Sequence, residues 1–301
     1  AIGTSGGVAG LAIGAIVLGL AYGAIAPAST HLLVPQTPRA VFNLVMSLRQ
    51  IGVPLGGVIG ALAIPPLVGW LGWRGAILVQ LVPVLALLVL LEPARRAWDG
   101  DRDPAWPLGG RSLAQPFRLL AEDKALRGLS VASHVYSGVQ LCFIAFMTVQ
   151  LTAVVRVDLV RAGVALALYQ VAGSASRPVW GWVADRYLAP GRLLSLLGVA
   201  MAAAALAAGR YGPHWPWALI LACSVFAGAT ASGFTGVAYA EYARLGGTRR
   251  TEATGLGTAA MFSGVMLVPF LFGAAVAATG GWFLPYAGLA AVSLIAAWAV
   301  R

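Results

Sequence analysis

Charge is scarce in this chain, and acidic charge is the scarcest. Only 10% of the 301 residues are charged, and Asp and Glu together number 10. Soluble domains carry about 25% charged residues, so a water-soluble fold of this length is excluded. The chain also has only two cysteines and three histidines, without the spacing of a disulfide framework or a zinc site. We therefore expect neither a metal nor a cofactor.

Signatures of catalysis are missing as well. The sequence contains no phosphate-binding loop or HExxH motif, and no Asp or Glu falls deep inside a long apolar run. We therefore do not expect an enzyme or an ATP-driven pump. One alternative is a membrane-embedded protein without transport activity, such as an intramembrane enzyme, a sensor or a scaffold. An enzyme of that kind should cluster histidines or carboxylates at one membrane depth, and the sequence shows no such cluster.

Long apolar runs are what the chain has in abundance, with 59% hydrophobic residues. A hydrocarbon core of roughly 30 Å needs about 20 apolar residues per helix. About nine runs meet that need, at 7–33, 41–68, 75–91, 128–155, 162–183, 193–209, 215–239, 253–278 and 282–300. The 38 glycines suit close packing of helices in lipid. The pattern predicts an all-α polytopic membrane protein.

The basic residues predict the orientation of these spans. One set of alternate loops holds thirteen Lys and Arg, and the other set holds four, namely Arg74, Arg156, Arg161 and Arg210. Cytoplasmic loops carry the excess of basic residues, so the loop at 92–127 and the C-terminus are predicted to be cytoplasmic. The same rule explains the net charge of +10 without a nucleic-acid partner. The expected surroundings are the lipid bilayer of the inner (plasma) membrane.

A repeat divides the chain. A Pro-containing span with Pro54 leads to a Gly-Trp pair at 72–73, and a second span with Pro269 leads to a Gly-Trp pair at 281–282. Three further spans precede the second unit within the chain, whereas none precede the first. We therefore expect six plus six spans in the intact protein, with three lying before Ala1.

The repeat predicts three parts of the chain. Residues 1–91 would be the remainder of an N-terminal bundle with three helices, residues 92–127 a cytoplasmic linker, and residues 128–301 a six-helix C-terminal bundle. Pro and Gly residues in the linker argue against a packed domain there.

A charged turn between two spans carries the most specific motif. Residues 181–192 read G-x-x-x-D-R-x-x-x-x-G-R through Gly181, Asp185, Arg186, Gly191 and Arg192. The glycine allows close helix approach, and the aspartate can accept charge-assisted hydrogen bonds or face a helix N-terminus. The two arginines are expected to hold the cytoplasmic face shut. Arg177 lies two turns earlier in the same span, and it is assigned to this gate.

This motif resembles the one that the major facilitator superfamily carries between its eighth and ninth helices. Residues 18–29 look like the family's fourth helix, and Gly52, Pro54, Gly56 and Gly57 look like its fifth. The family's proton-antiporter motif reads G-x-x-x-G-P-x-x-G-G, whereas here a valine precedes the proline and one residue separates it from the glycine pair. This departure weakens the expectation of antiport, and the segment is interpreted as a kinked packing seam.

The resemblance implies a bundle of two pseudo-symmetric six-helix halves, of which this chain covers helices four to twelve. It also implies secondary active transport of a small-molecule solute by alternating access. Protons are a candidate coupling ion, and a monomer is expected. A further alternative is that the truncated chain is inactive, because half of its N-terminal bundle would be missing.

Polar residues inside the spans suggest where a solute binds. Arg49 lies about eight residues into its span, roughly 12 Å deep at 1.5 Å per residue. A guanidinium at that depth faces water, a partner or a substrate, or else it snorkels to the interface. Since guanidinium suits carboxylate or phosphate, the sequence favours a small organic anion. The other substrate-binding candidates are Tyr22, Gln50, His134, Gln140, Tyr169 and Gln170.

Overall fold

The computed structural model of the chain describes residues 7–98, 100 and 118–301. Helices dominate these residues, and no strand occurs among them. We number the helices α1 Val8–Leu33, α2 Phe42–Arg49, α3 Gly52–Val79, α4 Leu81–Trp98, α5 Lys124–Gln150, α6 Leu159–Arg186, α7 Pro190–Ala208, α8 Trp217–Ala227, α9 Thr235–Gly246, α10 Arg250–Thr279 and α11 Phe283–Ala299.

Several of these helices meet the requirements of a membrane span. Five helical segments are long and apolar enough, at Val8–Gln36, Pro66–Arg95, Lys124–Val155, Pro190–Ala208 and Trp217–Thr279. The last of these segments contains α8, α9 and α10. Helix α6 is outside this set, although its 28 residues reach about 42 Å at 1.5 Å per residue. Its apolar character is diluted by Arg161, Arg177, Asp185 and Arg186. The predicted class, an all-α polytopic membrane protein, is confirmed.

Two of the predicted spans are interrupted. The span at 41–68 consists of α2, which ends at Arg49, and α3, which begins at Gly52. Pro54 lies in the first turn of α3, where a missing N–H breaks no helical hydrogen bond. The span at 215–239 contains a π-helical turn, Gly228–Ser232, between α8 and α9. Within α3, the Gly-Trp pair at 72–73 lies at a kink, where Gly72 has φ 68°.

The apolar core is built mainly from the helices after residue 118. Helix α5 packs against α10, and α7 packs against α11. Large buried side chains of this part include Tyr136, Phe143, Tyr242 and Tyr286. Most of the buried hydrophobic residues belong to these helices, so α5 to α11 form the better-packed portion of the described chain.

The helices before residue 99 attach to this core at a few places. Helix α1 packs on α10, and α2 packs between α6 and α9. Helix α4 contacts α3 and leaves many apolar side chains exposed, as lipid-facing helices do. Residues 101–117, most of the predicted linker, lie outside the described residues. The division into 1–91, 92–127 and 128–301 therefore stays a prediction.

Candidate functional site

A central cavity separates α1–α3 from the later helices. Its volume is 640 Å³, and it is bounded by α1, α2 and the start of α3 on one side and by α5, α6, α9 and α10 on the other. The polar and charged side chains that line it belong to Tyr22, Ser29, Arg49, Gln50, Ser137, Gln140, Arg177, Thr235, Tyr239 and Thr258. No carboxylate is among the described lining residues, so the fixed charge of the cavity is positive.

Arg49 lies at the C-terminal end of α2 and lines this cavity. Its Nη1 donates to the carbonyl oxygen of Ala26 at 3.0 Å, to Oγ of Ser29 at 2.7 Å and to Oγ1 of Thr30 at 2.8 Å. Its guanidinium carbon stands 5.1 Å from the ring centroid of Tyr239, which is cation–π range. Helix α1 and the Tyr239 ring therefore fix the orientation of the guanidinium.

The remaining edge of this guanidinium lacks partners. Nε and Nη2 of Arg49 are buried, and neither has a hydrogen-bond partner among the described residues. These two atoms form one of the edges with which Arg binds a carboxylate in bidentate fashion. A buried donor without a partner is costly. The edge is thus a candidate anion-binding group, already oriented through Nη1.

Arg177 also lines the cavity, although the sequence places it at the gate. Its Nε donates to the carbonyl oxygen of Ser232 at 3.2 Å, and its Nη1 donates to the carbonyl oxygen of Gln50. Ser232 ends the π-helical turn, and such turns shift backbone carbonyls out of the regular ladder. Oγ of Ser232 accepts a hydrogen bond from Nε2 of Gln140 at 3.0 Å. Gln50, Gln140 and Arg177 therefore belong to one connected polar wall.

Some of the other predicted binding residues line the cavity, and the rest lie outside it. Tyr22 lines the cavity and packs edge-on against Phe262, with ring centroids 5.5 Å apart. Tyr169 is fully buried behind the wall, where its hydroxyl donates to the carbonyl oxygen of Gln140 at 3.3 Å. Outside the lining, Nδ1 of His134 lies 2.8 Å from Oγ of Ser263, and Gln170 is exposed. The structure thus brings four of the seven candidates, Tyr22, Arg49, Gln50 and Gln140, to one cavity.

Asp185 holds the opposite end of α2. Its carboxylate accepts from the backbone N–H of Asn43 at 3.0 Å, from Nδ2 of Asn43 at 2.8 Å and from the backbone N–H of Leu44 at 2.9 Å. These amides belong to the first turn of α2, where an anion is favoured by the helix dipole. The geometry matches the expectation that Asp185 faces a helix N-terminus.

Two glycines let α2 come this close. A Cβ on Gly181 would lie 2.7 Å from the carbonyl oxygen of Asn43 and 2.8 Å from Cα of Leu44. A Cβ on Gly236 of α9 would collide with Cα, Cβ and Oγ of Ser47. Both contacts involve backbone, which cannot swing aside as the tip of a side chain can. Helix α2 therefore packs closely against α6 and α9 because glycine occupies both contact positions.

Helix α6 binds both ends of α2. Asp185 contacts the N-terminal amides and Arg177 the C-terminal carbonyl of Gln50. Eight residues separate Asp185 from Arg177, or about 12 Å along a helix, and α2 itself has eight residues. The two helices run antiparallel, with a negative group at the positive end of α2 and a positive group at the negative end. We call this arrangement the α2 clamp.

The other residues of the predicted gate occupy the surface beside the clamp. Arg186 and Arg192 are exposed, and a Cβ on Gly191 would lie 3.1 Å from the carbonyl oxygen of Val300. Of the predicted packing seam, Gly52 and Gly56 line the cavity, and Gly57 lies within α3. The roles assigned to these residues from the sequence stay predictions.

The same end of the molecule is closed by contacts of α1. Nδ1 of His31, near the end of α1, lies 3.3 Å from Oγ1 of Thr251, near the start of α10. At the other end of α1, Val8, Ile13 and Ile16 are exposed. The two groups of helices thus meet at the end that carries Asp185 and Thr251. Among the described residues, no cluster of His, Cys, Asp and Glu could hold a metal ion.

Sequence reasoning missed several residues that complete this site. Ser29, Thr30 and Tyr239 bind Arg49, and Ser232 joins Arg177 to Gln140. All four lie in helices that are small-residue-rich or apolar. Ser and Thr there usually bond their own helix, so the sequence offers no signal that distinguishes these four.

The fold and the central cavity define a class: a polytopic helical protein in which two groups of helices enclose a polar cavity at their interface. Residues 1–208 match the sequence profile of the Major Facilitator Superfamily. The chain belongs to this superfamily, and its class is that of a secondary transporter in a membrane.

Solved structures similar to this chain include two of the transporter FucP. A crystal structure of the E. coli fucose:proton symporter FucP has a TM-score of 0.66 at 16% identity, covering 92% of this chain and 73% of that one. A structure of FucP, a Major Facilitator Superfamily transporter, in the outward conformation has a TM-score of 0.63 at 16% identity, covering 92% and 72%. No curated protein sequence matches this chain at comparable significance.

Proposed function

We propose that this protein transports a small organic anion by alternating access and that the solute binds in the central cavity. The observation that supports this is the Nε and Nη2 edge of Arg49, buried without a partner in the described structure. Guanidinium presents such an edge to carboxylates in a bidentate geometry. A second cation, Arg177, lines the same cavity, and the described lining contains no carboxylate.

The apolar part of the lining restricts the anion further. Ile25, Leu141, Ile144, Phe262 and Val265 face the same cavity. A solute that fits such a surface carries an apolar body, because a second charge opposite these residues would lose its hydration without compensation. We therefore favour a monocarboxylate with an alkyl or aromatic body over a sugar or a di-acid.

The coupling ion, orientation and state are part of the same proposal. Protons are the candidate coupling ion, supported by the fold shared with a fucose:proton symporter. The Asp185 end is proposed to be cytoplasmic in the inner membrane, since thirteen of the loop Lys and Arg residues fall on that side. On this assignment, the described conformation is closed toward the cytoplasm. The protein is proposed to act as a monomer and not as an enzyme.

The test is uptake into proteoliposomes of a panel of radiolabelled monocarboxylates and of the neutral amides of the same skeletons. We expect flux of at least one carboxylate, stimulated by an inward proton gradient. Arg49→Gln removes charge-assisted hydrogen bonds of about 1.5–3 kcal/mol, so it should lower carboxylate flux about 10- to 100-fold. Arg49→Lys should rescue little, because an ammonium keeps the charge but lacks the bidentate edge.

The matched control is Arg39→Gln, which removes one cation from the exposed turn before α2. It should leave carboxylate flux near that of the unmodified protein. An equal loss of amide and carboxylate flux in Arg49→Gln would make Arg49 a structural residue and would contradict the anion proposal.

A further inference from the structure

A second cavity lies on the outer side of the later helices. This α6–α7–α8 groove has a volume of 690 Å³, and its walls include Trp180, Val183, Leu193, Leu196, Val225 and Phe226. Leu196, Val225 and Phe226 are 55%, 41% and 45% exposed, so the groove opens laterally. In a bilayer, this opening faces acyl chains.

The floor of the groove is fixed by Trp180. Its Nε1 donates to the carbonyl oxygen of Ala229 at 2.7 Å, in the π-helical turn Gly228–Ser232. The indole therefore satisfies a backbone carbonyl with its polar edge and offers its apolar face to the groove. Thr230 also lines the groove, and its Oγ1 donates to the carbonyl oxygen of Phe226 at 2.9 Å. The polar side chains among the described lining residues are thus already paired, so an apolar chain is the suitable occupant.

Two arginines lie at one end of the groove. Arg186 follows Val183 by three residues on α6, and Arg192 precedes Leu196 by four residues on α7. Residues three or four apart share a helix face, so both arginines extend the surface that lines the groove. Both are exposed. With the described residues, neither forms a hydrogen bond or an ion pair, and the nearby Asp185 is already occupied by the amides of α2.

Aromatic side chains mark the membrane depth of this end. Trp182 and Tyr187 are 45% and 69% exposed, and their ring centroids are 5.0 Å apart. Exposed Trp and Tyr of membrane proteins collect at the level of the lipid headgroups. Arg186 is adjacent to Tyr187 in the chain, so the two arginines lie at the headgroup level.

From this juxtaposition we infer that the α6–α7–α8 groove binds one anionic phospholipid. Its acyl chain occupies the apolar groove, and its phosphate group binds Arg186 and Arg192. Basic pockets between membrane helices recognise anionic headgroups in this way. The site is independent of the solute in the central cavity, and it assigns the two exposed arginines of the charged turn a ligand that they lack in the protein itself.

Fluorescence of Trp180 provides the test. The purified protein is reconstituted in phosphatidylcholine vesicles that contain a minor fraction of either brominated phosphatidylglycerol or brominated phosphatidylcholine. The contribution of Trp180 is the difference in quenching between the unmodified protein and Trp180→Phe. At about 1 kcal/mol for each Arg near a headgroup, the apparent affinity for the brominated anionic lipid should exceed that for the zwitterionic one by about 30-fold.

Matched double variants locate the headgroup. Arg186→Gln with Arg192→Gln should reduce the preference to about one. Arg161→Gln with Arg210→Gln removes the same charge from the opposite ends of the same two helices and should leave the preference unchanged. Equal quenching by the two brominated lipids, or equal loss in both double variants, would overturn the inference.

A second measurement does not depend on the tryptophan. Native mass spectrometry of the detergent-purified protein should detect one retained phosphatidylglycerol in the unmodified protein and in the control pair. The double variant Arg186→Gln with Arg192→Gln should not retain the phosphatidylglycerol. Retention by all three proteins, or by none, would also overturn the inference.

Discussion

Replacing Asp185 by Asn should open the closed end of the molecule. The carboxylate of Asp185 accepts three hydrogen bonds from Asn43 and Leu44 at the first turn of α2. An Asn side chain keeps one acceptor oxygen but presents an NH₂ group where the second oxygen accepts the Leu44 amide. The substitution therefore removes at least one charge-assisted hydrogen bond and the favourable charge at the end of the helix dipole.

The size of the effect follows from these two losses. A hydrogen bond to a charged group contributes about 1.5–3 kcal/mol, and a partly buried charge at a helix end up to about 2 kcal/mol. A combined loss of about 3 kcal/mol shifts the equilibrium between the closed and open states about 150-fold. A closed population of about 99% would fall to about 40%.

The assay is a distance distribution between spin labels across the closed end. Labels replace Arg39, before α2, and Tyr187, after α6, both of which are exposed. In Asp185→Asn the short-distance population should decrease and a longer one should appear, while insertion into the membrane is retained and transport slows. Asp158→Asn is the matched control, because Asp158 caps the other end of α6 by accepting from the amide of Arg161 at 2.9 Å. An unchanged distribution in Asp185→Asn would refute the reasoning.

Two further outcomes are expected. Gly181→Ala places a Cβ within 2.8 Å of α2 backbone atoms, so overpacking of about 1–3 kcal/mol should shift the same spin-label distances toward the open state. In the control Gly163→Ala, the added Cβ meets nothing within 4 Å, and the distances should not change. Identical distance distributions in the two variants would show that α2 can move away from α6 at no cost. In a Cys-free background, a Cys at Tyr187 should resist a membrane-impermeant maleimide on intact cells and a Cys at Asp158 should react; the reverse pattern would invert the proposed orientation.

Much of the fold was predictable from hydrophobic length and charge placement. Apolar runs of about 20 residues can satisfy their backbone in lipid only as helices, and the described residues are helical and strand-free. The break inside the second run was not predicted. Helix α2 ends there at Arg49, and α3 begins at Gly52, two residues before Pro54.

The candidate site was predictable only in part. Tyr169 and Gln170 are neighbours about 100° apart on α6, so the two side chains cannot face the same surface. The fold buries Tyr169 and exposes Gln170. A helix that packs on several sides has no single polar stripe, and its period therefore cannot indicate which residue faces the cavity. Arg177 is a similar case, since its position along α6 suggested the gate and gave no sign that it also lines the cavity.

By itself, the sequence determined that this protein lies in a membrane, that it consists of helices, and that a charged turn with Asp185 belongs to a recognisable family. These conclusions rest on composition, run length and local spacing, which act within one segment of chain. Only the tertiary structure decided that Asp185 and Arg177 bind opposite ends of α2 and that Ser29 and Thr30 orient Arg49. Those contacts join residues 19 to 142 positions apart, and such pairings depend on how helices pack and not on the pattern of any one of them.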